Sequence, residues 1–156
     1  MMAKLYFVPT EEIPYLWYLV KPLVDKVEEQ ANTEIDLTTQ DHLDNLMSDG
    51  HSYRLVIGLE KDFSGDFKSL EENDVRCVVI IEVTDCPNAR VLQILVWVTA
   101  SLRDYFLWYD QFGTIEDFGR ERSCTAVVAL AREGLAKKLT QLSGWTVESI
   151  QVSKDL

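Results

Sequence analysis

The sequence predicts an α+β domain in which a central mixed, mainly antiparallel sheet is flanked by helices, in the order β-α-α-β-β-β-α-β-α-β. Three observations predict it. Apolar residues recur at helical spacing from Thr10 to Val27 and again after Ser101. Between these stretches, Tyr53–Leu59, Val75–Val83 and Arg90–Thr99 are near-continuous apolar runs with a β-branched bias. Strand and helix patterns then alternate to the end of the chain, the pattern of a sheet covered on both faces.

The elements follow in order. Lys4–Val8 is a short strand closed by Pro9. Ile13, Leu16, Val20, Leu23, Val24 and Val27 line one face of a first helix. Pro14 falls in its first turn and is tolerated there, whereas Pro22 removes an internal donor and predicts a kink. Thr38, with Asp41 three residues on, predicts the cap of a short second helix through Leu43, Leu46 and Met47, stopped at Gly50. The polar stretch 61–74 reads as an insertion or mobile flap between the first two central strands. Asp85-Cys86-Pro87-Asn88-Ala89 is a turn cluster, so the flanking runs form a hairpin. Its two faces are both largely apolar, which predicts a central position covered on both sides.

After Ser101, the residues Leu102, Tyr105, Phe106, Tyr109 and Phe112 mark one helical stripe, extended by Ile115 and Phe118 and weakened by Gly113 and Gly119. Thr125–Leu130 is a buried strand, Arg132–Leu142 a short helix, and Trp145–Lys154 a last strand. No internal repeat or linker interrupts the 156 residues, and a single domain over 1–156 is expected.

Charge excludes some functions. The chain carries 15 Lys and Arg against 26 Asp and Glu, a net charge of −11. Such an excess of acid opposes binding to a phosphate backbone, so no direct nucleic-acid contact is expected. Most of it sits in residues 1–50, with 3 basic against 10 acidic side chains, and residues 101–156 are almost balanced. That first third reads as a solvated acidic face or as a surface for a basic partner. Arg120, Arg122, Arg132, Lys137 and Lys138 form the one basic concentration, either a solvated helix end or an anion site.

Cys77, Cys86 and Cys124 are odd in number and lack C-x-x-C spacing, so free thiols in a reducing compartment are expected. No leader pattern and no membrane-length apolar run is visible. His42 and His51 show no ligand spacing with the cysteines, and both are expected to be surface residues, with no metal. No P-loop, G-x-G-x-x-G or G-x-S-x-G is present.

Several local patterns, in this order, resemble small bacteriophage-encoded proteins with the GNAT N-acetyltransferase fold. Leu16-Trp17 with Val20, Pro22 and Leu23 resembles their first helix. Ile81-Glu82-Val83 through Pro87 to Arg90-Val91 resembles their central hairpin. Ile115-Glu116-Asp117-Phe118-Gly119-Arg120 with Cys124 is similar to I-E-x-W-A-R-x-x-G-C, and Ala131-Arg132-Glu133-Gly134-Leu135 to G-R-x-G-W. The resemblance implies a GNAT-like fold, acetyl-CoA as the cofactor of any enzyme, and a location in the host cytoplasm or the phage virion.

It also implies where a site would lie. GNAT enzymes hold the CoA pyrophosphate with [RQ]-x-x-G-x-[GA] after the fourth strand, where glycines let backbone amides approach the phosphates. Here Thr99-Ala100-Ser101-Leu102-Arg103-Asp104 has no glycine, and Asp104 places acid in the first turn. Val98, Thr99, Ala100, Ser101, Arg103 and Tyr105 are the contacts available if CoA binds at all. On the catalytic side, Glu82 on a central strand is a candidate base and Cys124 a candidate acid; the structural alternatives are a carboxylate facing a loop and an inert thiol. No tyrosine follows Tyr109. Trp108, Tyr109 and Phe112 belong to an aromatic set too broad for one helix face, and part of it is expected as a protein-contact surface.

The expectation is therefore a phage accessory protein whose GNAT-like fold binds acetyl-CoA weakly or not at all. It would act by protein–protein contact, as a virion component or on a basic host protein. The alternatives are an active N-acetyltransferase of a basic acceptor and an acidic mimic of DNA.

Overall fold

The computed structural model describes residues 3–29, 37–48, 52–101, 108, 111–129 and 145–146. Strand β1 is Lys4–Val8, and a 3-10 turn at Thr10–Glu12 leads into helix α1, Ile13–Glu29. Helix α2 is Thr39–Met47 and strand β2 Tyr53–Leu59. Strands β3, Val75–Cys86, and β4, Ala89–Thr99, precede helix α3, Gly113–Glu121, and strand β5, Ala126–Ala129. The expected helix at 132–142 and strand at 145–154 lie outside the described residues, apart from positions 145 and 146.

The five strands form one sheet in the order β1-β2-β3-β4-β5. All neighbours are antiparallel except β4 and β5, which run parallel. The sheet is thus the mixed, mainly antiparallel one the sequence predicts. The hairpin turn is tighter than the expected cluster, because Cys86 pairs with Ala89 across Pro87-Asn88 alone.

Two apolar layers cover the sheet. Leu16, Val20, Leu23 and Val24 of α1 pack with Leu46 of α2 on Leu55, Ile57, Val78, Ile80, Val96 and Val98. On the opposite face, Trp108, Phe112, Ile115 and Phe118 pack on Val56, Cys77, Val79, Ile81, Leu92, Ile94 and Trp97. Each strand thereby feeds both layers by simple alternation, with two exceptions. In β3, Val75 faces the α1 layer and Cys77 the α3 layer, because Arg76 is an extra residue between the pairs Leu59–Val75 and Gly58–Cys77. In β4, Leu92 and Ile94 face the α3 layer, yet Val96 faces the α1 layer and Trp97 returns to α3.

A β-bulge causes the switch. Ile80 pairs with Val96 and Ile81 with Ile94, so Leu95 is an extra residue in β4. One extra residue inverts which side chains face which layer.

Local details agree with the sequence at α2 and in the extent of α1, and differ in the stripe after Ser101 and in stretch 61–74. The Asp41 amide donates to Thr38 Oγ1 at 3.1 Å, and the Thr38 amide donates to Asp41 Oδ2 at 2.9 Å, a complete capping box. Helix α1 contains Pro22 and continues to Glu29. The stripe read from Leu102 to Phe118 is broken by a turn at Gln111–Phe112, and α3 starts anew at Gly113. Stretch 61–74 is not a loose flap. Lys61 Nζ meets Asp74 Oδ2 at 2.9 Å, closing its two ends. Phe63 packs edge-on to both Tyr6 and Phe67, and Lys68 lies 4.4 Å from the Tyr15 ring centroid.

Candidate functional site

The bulge at Leu95 lies in the middle of the sheet. Parallel pairing of β4 with β5 is registered from Val91–Ala126 to Ile94–Ala129, one residue before Leu95. Beyond it β4 continues to Thr99. A bulge re-aims the side chains on either side of it. It is not legible in the sequence, because Val91–Val98 is apolar on both faces except at Gln93 and its alternation carries little phase.

Glu82 lies beside this region, paired with Gln93 on one side and Tyr53 on the other. It faces the α2 side of the sheet. Its Oε1 accepts a hydrogen bond from Thr84 Oγ1 at 3.0 Å. Tyr53 is buried, and its phenol is pushed up to about 12, first by burial and then by the Glu82 charge, with Asn45 of α2 hydrogen-bonding to it. A carboxylate beside a phenol that stays protonated can attract an ammonium ion and hold its proton. Tyr53 is the residue that sequence reasoning missed, since its relation to Glu82 depends on strand register.

His42 corrects an expectation. It is 6% exposed, packed inward with Thr39 and Leu46 and not on the surface. Burial pulls its imidazole below the ordinary value, against the smaller opposing effect of Asp41 and Glu28, and its Nδ1 has no hydrogen-bond partner. Glu28 Oε2 accepts from both the amide and the hydroxyl of Thr39, at 3.2 and 2.7 Å, which ties the end of α1 to the start of α2.

The other candidate positions do not assemble around Glu82. Cys124 follows α3 on the opposite face of the sheet, against the Leu92 layer, with its amide donating to the Gly119 carbonyl at 2.9 Å. Burial pushes its thiol up, away from a reactive thiolate. The sheet therefore separates the expected acid from the expected base. Trp108 and Phe112 are 1% and 4% exposed, and both sit in the α3 layer. They are core residues and cannot present a contact surface; Tyr109 lies outside the described residues.

A CoA pyrophosphate needs free backbone amides in the stretch after β4. Val98 and Thr99 are still in the strand, paired with Val78 and Cys77. The Ala100 amide donates to the Arg76 carbonyl at 2.8 Å and extends that ladder by one residue. The Thr99 hydroxyl donates to the Ser101 carbonyl at 2.5 Å. Arg103 and Tyr105 lie outside the described residues. With no glycine from Thr99 to Asp104 and the Ala100 amide engaged, the described part of this stretch does not fit a phosphate cradle. Among the described residues there is also no His, Cys, Asp or Glu cluster suited to a metal, and no helix long and apolar enough to cross a membrane.

No protein-family model matches the sequence, and no curated protein matches it. Solved structures do match it in shape. A putative acetyl transferase from Pyrococcus furiosus superposes with a TM-score of 0.66 at 14% identity, over 99% of each chain. An aminoglycoside acetyltransferase from an uncultured soil metagenomic sample, solved with sisomicin, gives 0.65 at 14% identity, over 99% of this chain and 95% of that one. The ribosomal-protein-alanine N-acetyltransferase from Brucella melitensis gives 0.62 at 16% identity, over 99% of this chain and all of that one. Identities this low speak to the fold alone. The chain has the fold of the GNAT acetyltransferases.

Proposed function

We propose that this chain is a GNAT-fold protein that does not hold acetyl-CoA in a phosphate cradle and works by contact with a basic protein partner. One observation carries the reading: the stretch after β4 lacks glycine, and its Ala100 amide is engaged by Arg76. The contact surface is not the expected aromatic helix, whose Trp108 and Phe112 are buried. It is the outer face of α1 and α2, where Tyr15 and Tyr18 are 57% and 63% exposed and Leu37 and Met47 also reach solvent. These residues belong to the strongly acidic first third of the chain. Exposed tyrosines within an acidic field suit a partner that brings arginine and lysine. A structural component of a phage particle is one setting for such a contact. Titration of the protein with acetyl-CoA in a calorimeter tests the reading, which expects no saturation up to about 1 mM, the upper end of ordinary Michaelis constants.

The Glu82–Tyr53 pair favours a second reading, acetyl transfer to a cationic amine. Acetyl-CoA, where bound, would supply the activated acyl group. In this chain Glu82 would attract the ammonium and take its proton, and Tyr53 would remain a neutral donor beside it. Acetyl-CoA-dependent thiol release with an amine present, lost in Glu82→Gln, would establish that reading in place of the first.

A further inference from the structure

Three arginines of this acidic chain converge at one place the function above does not use. Ser52 and Arg54 from the β2 side, Val83 and Asp85 from β3, Arg90 from β4, and Arg122 after α3 line a cleft of about 430 Å³. It lies at the hairpin end of the sheet, away from the stretch that follows β4. Its lining carries three guanidinium groups against one carboxylate, in a molecule whose net charge is −11.

The guanidinium groups are held in place. Arg122 stacks on Phe118 with its Cζ 3.6 Å from the ring centroid. Arg90 Nη1 donates to the Arg122 carbonyl at 3.0 Å, which links the β4 arginine to the end of α3. Arg54 Nη1 donates to its neighbour's carbonyl, that of Tyr53, at 2.8 Å. Opposing charge is present: Arg90 Nε meets Asp85 Oδ1 at 2.7 Å, and Glu121 Oε2 stands 3.8 Å from Arg122 Nη1. Arg120, by contrast, is turned to Glu116 and Asp117 of its own helix, at 3.7 and 3.0 Å. The basic concentration read from the sequence is thus divided, and Arg122 alone of its described members joins the cleft.

We propose that this cleft binds a dianionic phosphate monoester of small-molecule size. Guanidinium forks match phosphate oxygens in pairs, and arginines already oriented by stacking and backbone contacts lose less freedom on binding. The volume falls within the range of small-molecule pockets and is larger than a phosphate group alone requires. The flanking Asp85 and Glu121, in a chain of net charge −11, oppose a polyanion such as nucleic acid.

Calorimetric titration of the full chain with glucose 6-phosphate, with glucose as the neutral control, tests the proposal. The phosphate ester should bind saturably and glucose should not. Arg54→Gln and Arg122→Gln should each weaken binding about tenfold or more, the effect of losing a charge-assisted contact. Arg120→Gln, on the same helix, should leave it unchanged. Asp85→Asn should tighten binding severalfold, a gain that loss of folding cannot imitate. Absence of saturable binding by the ester, equal binding of glucose, or an affinity indifferent to Arg54, Arg122 and Asp85 would each overturn the proposal.

Discussion

Gly58 of β2 lies directly beneath the Trp108 indole. A methyl group at position 58 would stand 2.6 Å from Trp108 Cζ3 and 2.7 Å from the Cys77 Cβ on the neighbouring strand. Trp108 is among the largest fully buried side chains and fills the layer between the sheet and α3. The absent side chain at Gly58 thus allows the indole to approach the strand backbone closely.

Gly58→Ala should therefore destabilise the fold by about 2 kcal/mol, because the ring must shift and the adjoining strand cannot. Urea unfolding followed by tryptophan fluorescence checks this. The midpoint should fall while the slope is kept; an unchanged midpoint would show that the layer yields freely.

Burial of His42 makes the fold sensitive to mild acid. Its folded imidazole titrates below the ordinary 6.5, so below that pH the unfolded chain binds more protons than the folded one. This contribution is complete above pH 6.5 and is lost as pH falls toward the folded value. Stability measured by urea from pH 7.5 to 5 should decline, and His42→Leu should flatten the decline.

Tyr53 produces the opposite limb. Its phenol titrates at about 12 in the fold against 10.0 ordinarily, so the folded state keeps the proton longer. The contribution is complete below pH 10 and is lost as pH rises from 10 to about 12. Glu82→Gln removes a charge that raises the phenol and should bring its ultraviolet titration to lower pH. A titration that does not move would separate Tyr53 from Glu82.

The contrast between legible and hidden features has physical causes. The runs Val75–Val83 and Arg90–Thr99 announce a central hairpin because strands buried on both faces must be apolar throughout. The same property conceals the bulge at Leu95, since an uninterrupted apolar run gives no phase from which to see a slip. The Thr38–Asp41 cap is local and was readable. His42 was not, because its burial depends on Glu28 and Thr39 joining two helices, a contact between residues eleven apart in sequence. The aromatic residues after Ser101 are too numerous for one face, yet Trp108 and Phe112, four residues apart, both pack into the layer over the sheet. Arg54, Arg90 and Arg122 come from three separate elements, and only the sheet brings them to one cleft.

A GNAT fold without a phosphate cradle should not hold acetyl-CoA. Calorimetric titration of the full chain with acetyl-CoA tests it most directly. No saturable heat is expected up to about 1 mM. Saturable binding in the micromolar range, weakened by substitutions between Ser101 and Tyr105, would contradict it.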